Sequence, residues 1–115
     1  MSKINAAITA VGAYVPDYVL TNQILETMVD TNDEWITSRT GIKERRILKE
    51  KGQGTSFLAI KAANDLIKKR GINPKDIELV IVATATPDMK AASTAAFTAT
   101  QIGATNAFSF DLEAA

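Results

Sequence analysis

Cysteine and histidine are both absent from the 115 residues of this sequence. Their absence excludes a disulfide framework, a serine–histidine–aspartate triad, a cysteine–histidine pair and an ordinary zinc site. Taken by itself, the chain therefore carries little of the standard side-chain chemistry of catalysis. We expect it to bind neither a metal ion nor a cofactor.

An excess of charge of one sign is also missing, because 13 basic residues balance 13 acidic ones. No broad basic surface for nucleic acid or anionic lipid is expected. No apolar run approaches the roughly 20 residues that cross a bilayer. The mildly apolar stretch at 6–15 is interrupted by Thr9 and closed by Pro16, which favours a strand over a signal segment. The sequence predicts a soluble, cytoplasmic protein without nucleic-acid or membrane partners.

The first part of the chain contains patterns of both secondary-structure types. Alternating apolar residues predict a strand over Ile4–Gly12, and Thr21 opens a short helix. A second helix is predicted to begin at Thr31, where Glu34 completes a T-x-x-E capping box. Gly41 is expected to end that helix in the left-handed conformation.

The rest of the chain alternates between strands and helices. The predicted elements are an edge or hairpin strand at 42–48, a helix at 56–70, a strand at 79–83, a helix between Ser93 and Gly103, and a strand at 107–112. The strand at 79–83 is apolar on both faces, which is typical of a parallel strand covered by helices on both sides. The final alanines, Ala114 and Ala115, are expected to begin another helix.

This alternation predicts an α/β fold with an open, mostly parallel sheet and helices on both faces. We see no internal repeat or linker, so residues 1–115 are expected to lack an internal domain boundary. The last strand would end before the helix that covers it, leaving apolar surface and an unpaired edge. The 115 residues are therefore expected to be part of a larger folding unit.

The segment TNDEWITSRTGIKERR, at 31–46, is the strongest candidate for a binding site. Thr31, Trp35 and Arg39 are spaced at i, i+4 and i+8, so one helix face would carry a hydroxyl, an indole and a guanidinium. An indole stacks on flat heterocycles and an arginine binds phosphate, which together suit a nucleotide such as coenzyme A. A surface cation–π pair beside a helix cap is the simpler interpretation of the same spacing.

Three other segments predict structural roles rather than sites. The charge-rich run at 43–51 is interrupted by glutamates and is typical of a solvated face. The GQGTS stretch at 52–56 lacks the G-K-[ST] of a P-loop and predicts a turn with a helix cap. Asp111 and Glu113 share one strand face, where structural roles are expected instead of paired acid–base chemistry.

Four motifs give the chain a resemblance to a known family. They are GAYVP at 12–16, TNDEWITSRTGIKERR at 31–46, VATATPD at 82–88 and FDLEAA at 110–115. Their order and spacing resemble β-ketoacyl-ACP synthase III, the enzyme that starts bacterial type II fatty-acid synthesis. The resemblance covers essentially the whole chain. It implies a thiolase-like fold, with residues 1–115 as the N-terminal part of its first half.

The resemblance also implies roles for individual residues. Trp35 matches the tryptophan that stacks on the adenine of coenzyme A, and Thr31 matches a threonine beside that adenine. Arg39 and Thr40 match residues that contact the phosphates. The catalytic cysteine of the family would follow Ala115 directly, and its histidine and asparagine would lie farther downstream. No catalytic residue is therefore expected within this chain.

The activity implied by the resemblance is condensation of an acyl-CoA, acetyl-CoA in the first instance, with malonyl-ACP. The products would be 3-ketoacyl-ACP and CO2, and the enzyme would be a homodimer with acyl-CoA and acyl carrier protein as partners. The chain alone is expected to be inactive. Lys90 and Ala92 stand where many relatives carry prolines, which leaves the primer length open. The alternatives are a sister ketosynthase of secondary metabolism and a non-catalytic α/β binding module.

Overall fold

The computed structural model describes Lys3 and residues 5–113. The chain divides into two compact units. The larger unit contains residues 1–14 and 54–115, and the smaller unit contains residues 15–53. The absence of an internal domain boundary stays a prediction. Ala114 and Ala115, which were expected to begin a helix, lie outside the described residues.

The smaller unit consists of a short antiparallel ladder and two helices. Its elements are β1 (Val19–Thr21), α1 (Asn22–Glu26), α2 (Asp33–Thr40) and β2 (Glu44–Arg46). The two strands are antiparallel, with Val19 opposite Arg46. The strand predicted at 42–48 is confirmed as the shorter β2. The sequence did not predict β1, because three residues are too few to show an alternating pattern.

The N-cap of helix α2 lies one residue later than the sequence predicted. Asn32 is its N-cap, and the Asn32 side-chain oxygen accepts a hydrogen bond of 2.8 Å from the backbone N–H of Trp35. The predicted capping box of Thr31 and Glu34 is therefore wrong, since an asparagine is at least as good a cap as a threonine. Gly41 ends the helix at a φ of 72°, as predicted.

The larger unit is built on a parallel pair of strands. Its elements are α3 (Thr55–Arg70), a 3₁₀ turn (Pro74–Asp76), β3 (Leu79–Ala83), α4 (Thr94–Gln101) and β4 (Phe108–Leu112). β3 and β4 are parallel, with Leu79 opposite Phe108 and Ala83 opposite Leu112. The core lies between these strands and the two helices; its members include Ile60, Ile67, Val80, Ala99, Ile102 and Ala104. The predicted alternation of parallel strands and helices is confirmed here.

One face of this parallel pair is covered and the other is open. The side chains on the open face, which we call the outer sheet face, are apolar and 39–70% exposed: Leu79, Ile81, Phe108, Phe110 and Leu112. Helices were expected on both faces. Among the described residues they cover only one, since no described element packs against the outer sheet face.

The N-terminal segment was predicted as a strand over Ile4–Gly12, and that prediction is wrong for residues 5–12. A strand needs a partner, and no described strand pairs with this segment. Ile8 is accordingly 90% exposed. At Gly12 the chain runs against α3 so closely that a Cβ atom would collide with the backbone at Ala62 and Leu66.

None of the helices within the described part of the chain has the length and apolar character needed to span a membrane.

Candidate nucleotide-binding site

The predicted site residues lie in the smaller unit, on α2 and directly before it. A pocket of about 500 Å³ opens beside them, and its lining residues are Leu25, Val29, Asp30, Thr31, Asn32, Trp35 and Ile36. Thr31 and Trp35 therefore meet at one pocket, although Thr31 precedes the helix instead of lying on it. Arg39 and Thr40 lie farther along α2 and do not line the pocket.

Trp35 and Arg39 form the contact that their spacing predicted. The Cζ atom of Arg39 lies 4.9 Å from the ring centroid of Trp35, within the range of a cation–π interaction. The indole is nevertheless 53% exposed. An aromatic surface that is half open to solvent and also lines a pocket can stack on a flat ligand.

Charged residues stand at both ends of α2, with a cation in its last turn. Asp33 and Glu34 occupy the first turn and Arg39 the last, which complements the helix dipole. Arg39 forms no ion pair with any carboxylate in residues 5–113. Its guanidinium is therefore free of a competing carboxylate and can donate to a phosphate beside the indole.

Thr40 has a different environment from the one its predicted role requires. Its Oγ1 donates a 2.7 Å hydrogen bond to the carbonyl oxygen of Ile36 and accepts one of 3.1 Å from the backbone N–H of Ile42. A hydroxyl has one proton, and phosphate oxygens of a bound nucleotide act mainly as acceptors. Thr40 would have to break its bond to Ile36 before it could donate to a phosphate. In this structure it stabilises the end of α2.

Asn22 supports the helices beside this site, and no sequence pattern predicted that role. It is fully buried, with 0% of its surface exposed. Its Nδ2 donates to Asp33, Thr37 and the carbonyl of Ile42, and its Oδ1 accepts from Arg45. In the sequence it is an asparagine at the start of a five-residue helix, where a cap or solvent-exposed residue is the ordinary expectation. No local pattern distinguishes it from one.

Asp111 and the GQGTS turn have structural roles, as the sequence predicted, whereas Arg45 of the charge-rich run at 43–51 is not simply solvated, because it donates to the buried Asn22. Asp111 accepts hydrogen bonds from the backbone N–H groups of Thr94 and Ala95 at the start of α4. Asp88 accepts from the N–H of Ser56, so the start of α3 after the GQGTS turn already holds a carboxylate of this chain. Both helix N-termini are occupied by the protein's own side chains.

No family model matches the chain. Among curated proteins, it is 61% identical over all its 115 residues to β-ketoacyl-[acyl-carrier-protein] synthase III 2 of Bacteroides thetaiotaomicron, covering 34% of that protein. The crystal structure of 3-oxoacyl-[acyl-carrier-protein] synthase III from Aquifex aeolicus matches with a TM-score of 0.84 and 44% identity, over 91% of this chain and 33% of the other.

A third match is the priming β-ketosynthase of the R1128 polyketide biosynthetic pathway, with a TM-score of 0.84 and 34% identity, over 91% of this chain and 31% of the other. These superpositions confirm the predicted thiolase-like α/β fold. The chain spans about a third of the length of the curated relatives it matches. Over its whole length, the chain is similar to the corresponding third of these β-ketoacyl-[acyl-carrier-protein] synthase III proteins.

Proposed function

We propose that this chain forms one wall of the acyl-CoA site of a β-ketoacyl-ACP synthase III. The observation that carries the proposal is the half-exposed indole of Trp35, which lines a pocket of about 500 Å³ and has the Arg39 guanidinium 4.9 Å from its ring centroid. A stacking surface beside a cation that pairs with no carboxylate in the described part of the chain suits an adenine joined to phosphates.

In the proposed reaction, the whole enzyme transfers an acyl group from acyl-CoA, acetyl-CoA in the first instance, to a cysteine. That acyl group then condenses with malonyl-ACP, giving 3-ketoacyl-ACP and CO2. The sequence of this chain contains neither cysteine nor histidine. In the whole protein, the nucleophile is proposed to follow Ala115, with the histidine and asparagine farther along. The part played by this chain is therefore binding, in a cytoplasmic homodimer that also uses acyl carrier protein.

Each of the four predicted residues has a definite proposed role, two at the pocket and two farther along α2. The indole of Trp35 stacks on the adenine, and Thr31, at the pocket wall, lies beside the base. Arg39 donates to the phosphates. Thr40 keeps α2 intact up to Gly41 through its bonds to Ile36 and Ile42, so that Arg39 remains on an ordered turn. This assigns Thr40 a supporting role in place of direct phosphate contact.

The contacts on this wall are too few for tight binding by the chain alone. A base stacked on an aromatic side chain contributes roughly 1–3 kcal/mol, and an exposed ionic contact about 0.2–1 kcal/mol. A dissociation constant of 1 mM corresponds to about 4 kcal/mol, and 1 μM to about 8 kcal/mol. We expect the 115-residue chain to bind coenzyme A with millimolar affinity at best.

Titration with coenzyme A, followed through the indole of Trp35, tests the proposal. The chain has a single tryptophan, so its indole N–H gives one NMR resonance whose origin is certain. A saturable shift of this resonance at millimolar coenzyme A supports the proposal. Arg39→Ala is expected to weaken the binding of coenzyme A measured in this way. An indole signal that stays fixed up to 10 mM would show that the pocket is not a nucleotide site in this chain.

A sister ketosynthase of secondary metabolism is the second candidate, and one observation bears on the choice. The identity is 61% to the Bacteroides thetaiotaomicron synthase III and 34% to the R1128 priming ketosynthase. This difference favours the fatty-acid enzyme. Comparing acetyl-CoA with longer acyl-CoA primers in the whole protein distinguishes the two, and also tests whether Lys90 and Ala92 alter primer preference.

A further inference from the structure

Asn22 is a fully buried polar side chain whose hydrogen-bonding groups are all used. Its Nδ2 lies 2.6 Å from Oδ1 of Asp33 and 2.8 Å from the carbonyl oxygen of Ile42, and its Oδ1 accepts a 3.0 Å hydrogen bond from Arg45. A buried amide left without partners would destabilise the fold, so such complete pairing is expected of it. What matters is where the partners lie.

The partners of Asn22 span the whole of α2. Asp33 is the first residue of that helix, Thr37 lies in its middle and Ile42 follows the glycine that ends it. Nδ2 approaches the Thr37 hydroxyl at 3.3 Å. One side chain at the start of α1 therefore holds α2 at its beginning, middle and end.

The same two helices both contribute to the pocket lining. Leu25 comes from α1, and Trp35 and Ile36 come from α2. Asn22 is not a lining residue, but a change in its hydrogen bonds alters how far α2 lies from α1. The placement of α2 relative to α1 therefore sets the shape of the pocket that both helices line.

We propose that Asn22 is a positioning residue for the nucleotide pocket, which fixes the placement of α2 and hence of Trp35. The inference rests on the proposed function, since the pocket matters only if a nucleotide enters it. The substitution Asn22→Asp is its sharpest probe. It keeps the size of the side chain, removes both amide donors and places a carboxylate against that of Asp33.

The experiment compares four forms of the 115-residue chain: wild type, Asn22→Asp, the exchange Asn22→Asp with Asp33→Asn, and Asn64→Asp. The exchange restores a donor and an acceptor in the opposite order. Asn64 is an exposed asparagine on α3, so it controls for the added charge. Two quantities are measured: coenzyme A affinity through the Trp35 indole resonance, and nuclear Overhauser effects between the methyl groups of Leu25 and Ile36.

We expect Asn22→Asp to weaken coenzyme A binding at least fivefold and to reduce the Leu25–Ile36 effects, with helix content by circular dichroism preserved. The exchange restores the contact between positions 22 and 33 but not the bond to the Ile42 carbonyl, so it should recover part of the affinity and part of the Overhauser effects. Asn64→Asp should change neither quantity. If Asn22 had only a structural role, Asn22→Asp would lower stability and the exchange would not restore the affinity for coenzyme A. Unchanged affinity in Asn22→Asp, or an equal loss in Asn64→Asp, overturns the inference.

The inference can still be tested if the wild-type chain does not bind coenzyme A, or if Asn22→Asp does not fold. If the wild-type indole does not respond to coenzyme A, the proposed function fails. The inference about Asn22 is then judged by the methyl effects alone: their loss in Asn22→Asp and return in the exchange support it, and their persistence overturns it. If Asn22→Asp does not fold, Thr37→Val removes one partner without burying a charge. Weaker coenzyme A binding by that variant supports the inference, and unchanged binding overturns it.

Discussion

Trp35 and Arg39 have different parts in the proposed binding of acyl-CoA, and their substitutions should differ in size. In the whole enzyme, loss of a stacking contact of roughly 1–3 kcal/mol should raise the KM for acyl-CoA about 5- to 150-fold in Trp35→Ala. Loss of an exposed ionic contact should raise it about 1.5- to 5-fold in Arg39→Ala. Steady-state kinetics with acyl-CoA and malonyl-ACP varied in turn measure both.

The KM for malonyl-ACP should stay close to that of the wild type in both variants, because malonyl-ACP carries no adenine that could stack on Trp35. Arg70→Ala, at the exposed end of α3, is the matched control for loss of a surface arginine. Unaltered acyl-CoA kinetics in Trp35→Ala and Arg39→Ala would mean that this helix face is structural.

Thr98 gives a residue-scale prediction about stability. Its side chain is 2% exposed, and its Oγ1 has no hydrogen-bond partner among the described residues. A buried hydroxyl without a partner costs about 1–3 kcal/mol. Thr98→Val should therefore raise the free energy of unfolding by about that amount in urea denaturation. Thr100, whose Oγ1 donates to the Ala96 carbonyl, is the control, and Thr100→Val should give no such gain.

The two halves of the site differed in how far sequence could predict them. The Trp35–Arg39 contact follows from a spacing of four residues on one helix, and the structure confirms it. The partners of Asn22 lie 11 to 23 positions away in the chain. Such contacts depend on tertiary packing, and a single sequence carries no periodic signal for them.

At the scale of elements, the same difference between local and distant determinants recurs. The long α3 was predicted to within one residue, because its apolar period and Gly71, at a φ of 68°, are both local signals. The start of α2 was misplaced by one residue because Thr31 and Asn32 are adjacent and both residue types can cap a helix. The segment predicted as a strand has the right alternation, but its residues 5–12 have no partner among the described strands, and alternation alone does not supply one.

Attachment of the N-terminal segment to α3 should depend on pH through Asp65. Hydrogen bonds from Lys69 and from the backbone N–H of Ala13 lower the pKa of this carboxyl below its ordinary value of 3.8. A lowered folded-state pKa contributes stability that is present above the unfolded pKa and is lost as pH falls through the folded pKa. The loss should therefore occur below about pH 4.

Thermal unfolding between pH 2.5 and 6 measures this dependence. Asp65→Asn should be less stable than the wild type at pH 6, and the difference should shrink as the pH falls below 4. Asp76→Asn, at an exposed aspartate of the 3₁₀ turn, is the control. A constant difference between wild type and Asp65→Asn across the whole range would count against a role for the ionised carboxyl.

At the scale of the whole molecule, the outer sheet face is an exposed apolar surface of the larger unit. The exposed Leu79 and Ile81 of β3 lie next to the exposed Phe108 and Phe110 of β4. Adjacent apolar side chains on an open sheet favour association, because burial removes them from water and covers an edge that can pair. The isolated 115-residue chain should therefore self-associate through this face.

Sedimentation velocity over a range of concentrations tests this expectation. The wild-type chain should form larger species as concentration rises, whereas Phe108→Glu, which places a charge on the outer sheet face, should shift the population towards monomer. Met28→Glu introduces the same charge at an exposed position of the smaller unit and should leave association unchanged. A wild-type chain that stays monomeric at all concentrations and unfolds in one sharp transition would show that the larger unit is stable with this apolar face in water.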